Sequence, residues 1–195
     1  MKKTTAAAVA AVLVLTTLAL AGCSSWFESP AKPANDAIAV ANGHLKKAAT
    51  IESTVSSSTA ALQGVAYTKK GANQAISITG GIKDTLKSER TELEAGKAAM
   101  DTISGFDVTA TFKQYAKLES AAIDARIALV DANSRLYDAM GRLYSALAKT
   151  GNTVDSQETI TAIQQMQEEV AALADSAQQA AKAASDFFTS NKLGG

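Results

Sequence analysis

A thiol, an imidazole and a few carboxylates are the groups with which this chain can do chemistry, and the first two are scarce. Cys23 is the single cysteine and His44 the single histidine among 195 residues. One cysteine forbids an internal disulfide. One histidine leaves any nucleophile–base arrangement a single base, and His44, beside Leu45, reads as a surface residue. No His-Glu-x-x-His or Glu-x-x-His pair is present, so zinc and carboxylate-bridged di-iron sites lack ligands. Neither a metal nor a cofactor is expected. Gly96-Lys97 lacks the earlier glycine and the hydroxyl of a phosphate-binding loop, and no Gly-x-Ser-x-Gly elbow appears.

Glu52 and Glu89 fall on or beside apolar seams. One reading is a buried carboxylate pair for acid–base work or ion binding. The favoured reading is a drift in register that turns both outward, or side chains that reach water. Tyr137 and Tyr144 stand one heptad apart and suit either a core with the hydroxyl at its edge or a partner or ligand surface. Arg126 and Asn133 interrupt the same seam, as polar core residues that set register or as residues facing a partner.

Cys23 has the most informative surroundings. Lys2-Lys3 precede an apolar run from Thr4 to Leu20, the charge-then-apolar order of a secretory signal. That run is too short and alanine-rich for a membrane span. It ends in Leu20-Ala21-Gly22-Cys23, which resembles the lipobox of bacterial lipoprotein precursors. Small residues enter a protease site readily, and a thiol is the nucleophile for lipid transfer. The resemblance implies thioether acylation of Cys23 and cleavage between Gly22 and Cys23, so that residues 1–22 are a signal peptide. Membrane lipid is then a partner through Cys23, since two acyl chains anchor stably at about 0.8 kcal/mol per buried CH₂. Ser24, in place of an aspartate, resembles the pattern destined for the outer membrane of a two-membrane bacterium. In a one-membrane bacterium the same anchor faces outward on the plasma membrane.

Residues 23–34 read as the lipidated cysteine and a tether holding Pro30 and Pro33. Eleven extended residues span roughly 35 Å. Trp26 and Phe27 stand close enough to the anchor to enter the membrane interface, where tryptophan is favoured. Cleavage removes Lys2 and Lys3, leaving 17 basic against 19 acidic residues, a net of −2. That balance favours neither nucleic acid nor an anionic surface as a partner.

Both prolines lie before residue 35, so the body, residues 35–190, can form long unbroken helices. The first is expected from Asn35 or Asp36, either a good N-cap, to between Gly64 and Gly71, near Lys69-Lys70-Gly71. Its Ser/Thr-rich stretch from Ser53 to Thr59 weakens it locally. The second begins between Ala72 and Gly81, with Gly80-Gly81 as start or kink, and ends at Ser104-Gly105. The third is capped by Asp107, measures about 60 Å and stops at Thr150-Gly151. Asp131–Arg135 and Asp138–Arg142 are spaced for ion pairs within it. The fourth starts at Asp155, with Asp155-x-x-Glu158 in the pattern of a capping box, and runs to about Thr189. Residues 191–195 are expected to fray.

Short loops between long helices give an all-α, elongated up-down-up-down bundle. A three-helix coiled coil, with the first two helices merged or broken differently, is the alternative. The function expected is a non-enzymatic, membrane-anchored envelope lipoprotein whose helical body binds a protein partner, acts as a spacer or self-associates. The alternative is a small-ligand binder with a pocket lined by Tyr137, Met140 and Tyr144. An enzyme using Glu52 and Glu89 is the least favoured reading.

Overall fold

Heptad spacing governs the architecture. The computed structural model describes residues 31–65, 68–151 and 157–193. They form helices α1 (Lys32–Gln63), α2 (Lys69–Asp101), α3 (Ala110–Thr150) and α4 (Gln157–Ser190), with a 3₁₀ turn at Thr102–Gly105. Among the described residues there is no strand, and no helix is long and apolar enough to cross a membrane. The chain is an all-α helical bundle.

Buried positions in α1 are 34, 41, 45, 48, 52, 55, 59 and 62, and in α2 they include 75, 79, 82, 86, 89, 93, 96 and 100. Steps of four and three alternate without a slip. A strict seven-residue repeat keeps its seam on the partner by supercoiling, rather than rotating away by about 20° per heptad. α3 carries two such stripes. One runs through Ala116, Glu119, Ile123, Arg126, Val130, Asn133, Tyr137 and Met140. The other includes Tyr115, Ala122 and Leu136. Tyr115 meets Phe188 of α4 with ring centroids 5.1 Å apart.

Extensive helix–helix approaches follow chain order, α1 to α2, α2 to α3 and α3 to α4. Polar pairs fix the directions. Lys83–Asp138 (2.5 Å), Arg90–Asp131 (2.9 Å) and Lys97–Asp124 (3.7 Å) step by seven up α2 and by seven down α3, an antiparallel ladder. Arg135 of α3 pairs with Glu169 of α4 at 2.6 Å. Glu52 reaches Arg126 and Thr59 reaches Tyr137, so α1 and α3 run parallel on either side of the α2 register. The topology is up-down-up-down in four helices, and the chain breaks between α1 and α2 rather than merging them. Buried Ala174, Ala177, Ala181 and Ala184 give α4 a narrow face.

Several boundaries differ from those expected. α1 starts at Lys32, three residues inside the expected tether, because Pro33 is tolerated in a first helical turn that needs no N–H. Asp36 does not cap it; its carboxylate pairs with Lys32 at 2.6 Å. Lys69-Lys70-Gly71 opens α2 instead of closing α1, since Thr68 Oγ1 accepts the Gly71 N–H at 3.1 Å. Gly80-Gly81 lies inside α2 and is not its start. Thr109, not Asp107, precedes α3. Gly151 ends α3 in the left-handed region, φ 68°, its N–H bonded to Leu147 O. Asp131 leaves Arg135 for Arg90, while Asp138–Arg142 forms as spaced. Asn191 to Leu193 is a hydrogen-bonded turn, with the Leu193 N–H on Phe188 O at 3.2 Å, and residues 194–195 lie outside the described residues. Asp155 lies outside the described residues.

Candidate functional site

The bundle places its most unusual chemistry in its own interior. Glu52 on α1, Glu89 on α2, and Glu119 and Arg126 on α3 are each less than 8% exposed. Acids and arginine are almost never this buried unless paired. The expected outward drift of Glu52 and Glu89 does not occur. Each sits at a heptad core position, between Ala48 and Val55 on α1 and between Leu86 and Leu93 on α2, and the unbroken repeat holds it inward. Arg126 Nη2 donates to Glu52 Oε2 at 3.2 Å and stands 3.7 Å from Glu89 Oε1. One guanidinium therefore bridges α1 and α2 from α3.

Burial drives the electrostatics of this layer. Desolvation pushes the Glu89 carboxyl up to about 7, and the neighbouring Glu52 charge adds to the rise while Arg126 opposes it. Glu119 is pushed up to about 6 by burial, again against Arg126. Glu52 is raised by burial, less the attraction of Arg126. Two carboxyls stand against one cation and a third is buried within its field, and proton uptake is the chemistry this arrangement supports. Among the described residues, no group of three or more His, Cys, Asp or Glu side chains could hold a metal ion.

The tyrosines divide. Tyr137 is fully buried, its hydroxyl 2.6 Å from Thr59 Oγ1, so it is a core residue that offers no partner or ligand surface. Thr59 donates its own proton to Val55 O at 2.9 Å, which makes Tyr137 the donor in the shared bond. Tyr137 and Met140 belong to the buried core cluster, and Tyr144 is partly buried against it. Asn133 is buried beside them in sequence order on the same stripe. His44 is not free on the surface. Its Nδ1 lies 2.7 Å from Glu92 Oε2 at the edge of the α1–α2 seam.

A cleft of about 540 Å³ opens where the 3₁₀ turn meets the start of α3, bordered by Met100, Ser104, Lys113 and Lys117. Lys97 bridges its two acids, Asp101 at 2.9 Å and Asp124 at 3.7 Å. Ser120 donates to Asp101 at 2.7 Å.

Gly22, Cys23, Trp26 and Phe27, the expected processing, lipidation and interface residues, lie outside the described residues. Sequence reasoning missed Glu119. Its signal was present, since it stands four residues before Ile123 and seven before Arg126 on the same seam. No family model, curated protein or solved structure matches the chain.

Proposed function

We propose that this chain is a lipid-anchored helical bundle of the bacterial cell envelope, a non-enzymatic spacer or protein-interaction module. One observation carries the reading: the single cysteine stands at the acceptor position of Leu20-Ala21-Gly22-Cys23, after a basic and then apolar leader. The helical body gives that anchor something rigid to hold. α3 alone has 41 residues, about 60 Å of rod at 1.5 Å per residue. Trp26 and Phe27, within four residues of Cys23, serve at the interface. In a two-membrane bacterium the protein belongs in the outer membrane, and in a one-membrane bacterium on the outer face of the plasma membrane.

Cell fractionation of wild type and Cys23→Ser tests the anchor, and crosslinking of the membrane-bound wild type tests the partner role. The wild type should partition with membranes, and the variant should leave the lipid-anchored fraction with its helical circular dichroism intact. A variant that stays in that fraction would contradict the lipid anchor. Recovery of only uncrosslinked protein across the whole bundle surface would reduce the function to that of a spacer.

A further inference from the structure

The buried layer of Glu52, Glu89, Glu119 and Arg126 has a stoichiometry that a permanent ion-pair network would not choose. Glu52 and Glu89 stand against one guanidinium, and Glu119 is buried one heptad along α3 within its electrostatic reach, so full ionisation leaves two uncompensated negative charges inside a helical seam. Buried charge that lacks a partner is strongly destabilising. The layer becomes neutral only when two of the three carboxyls carry protons. Those protons come from bulk water and return to it.

The buried charged groups of this cluster come from three helices. α1 supplies Glu52, α2 supplies Glu89, and α3 supplies Glu119 and Arg126. The influences on the three carboxyls are burial, Arg126 and, for Glu89, Glu52; none comes from α4. His44, Glu92 and Lys47 form a separate cluster at the outer edge of the α1–α2 seam.

α1 depends on this layer for one of its ties to α3. Among the described residues its extensive approach is to α2, and its polar ties to α3 include Glu52–Arg126 and Thr59–Tyr137. Ser53 to Thr59 between them are poor helix formers. Ser57 and Thr59 bond back to the carbonyls four residues earlier, a pattern that weakens helices. We propose that the Glu52–Glu89–Glu119–Arg126 layer is a proton-operated clasp on α1: two protons close it and hold α1 against α2 and α3, and their loss loosens the middle of α1. Because α1 follows directly on the tether segment, the clasp sits on the helix nearest the proposed anchor.

Amide hydrogen exchange of the full chain at pH 6 and pH 8, corrected for the intrinsic rate, reads α1 and α4 separately. Protection of residues 48–59 should fall at least about tenfold relative to residues 170–184 between the two pH values, the size of about 1.4 kcal/mol. The Glu89→Gln/Glu119→Gln double variant keeps the shape and removes both excess ionisable groups. Its α1 protection should change less than about twofold over the same range. Unchanged α1 protection in the wild type, equal loss in α1 and α4, or a persistent loss in the double variant would each overturn the proposal. A carbon-13 titration of the wild-type carboxyls reads the same device without substitution. At least one should titrate near 7, and three ordinary glutamate titrations would refute it.

Discussion

Replacing Arg126 by methionine removes the one cation from a layer holding three buried carboxyls. The guanidinium stands 3.2 Å from Glu52 and 3.7 Å from Glu89. At an effective dielectric near 20, a unit charge pair at such distances is worth roughly 5 kcal/mol before desolvation is subtracted. Removing one partner of a buried pair costs about 3–5 kcal/mol because the other charge is left alone. That cost depends on pH, and its sign follows from the raised carboxyls. Glu89 titrates at about 7 in the folded chain against an ordinary 4.5, so the folded state holds a proton that the unfolded state has released. Stability is therefore fully present below about 4.5 and is lost as pH rises through about 7, by about 3 kcal/mol for Glu89 alone. Glu119 adds to the same trend with its own window ending at about 6. Urea unfolding at pH 5 and pH 8 measures both effects. Wild type should be the more stable at pH 5. Arg126→Met should cost about 3–5 kcal/mol at pH 8 and no more than about 1 kcal/mol at pH 5, where protons can neutralise carboxyls left without Arg126. An equal cost at the two pH values would refute this reasoning.

Three further outcomes follow from the packing. Gly80 and Gly81 lie inside α2, exposed, with open space where a Cβ would stand, so Gly80→Ala and Gly81→Ala should each raise stability by about 1 kcal/mol in thermal unfolding. Tyr137→Phe should cost about 1 kcal/mol, whereas Thr59→Val, which leaves a buried phenol without its acceptor, should cost about 1–3 kcal/mol. A double-mutant cycle on Arg90 and Asp131, about 42% exposed, should return a coupling of roughly 0.2–1 kcal/mol that shrinks in about 1 M salt.

The sequence made the bundle legible for a physical reason. Absence of proline after Pro33, a steady 4-3 spacing and Gly151 as a stop are local signals. Helix starts are harder to read because two strong capping candidates, Asp36 and Asp107, do not cap. α1 instead begins over Pro33 and α3 after Thr109. The fate of Glu52 and Glu89 was misread because a single helix drifts relative to a seven-residue repeat, and only the supercoiled partner removes that drift. Pairing across helices was hidden altogether. Asp131 has an intrahelical partner at the correct spacing in Arg135, yet Arg90, which the α2–α3 register brings alongside, takes it. Arg126 was visible as a break in the seam, but its two partners lie on two other helices.

The intact mass of the protein extracted from membranes with detergent reads the proposed anchor at Cys23 without any substitution. The expected species lacks 22 residues, begins at Cys23 and carries a diacylglyceryl group on Sγ. A membrane-extracted chain that begins at Met1, or one whose Cys23 carries a free thiol, would contradict that anchor.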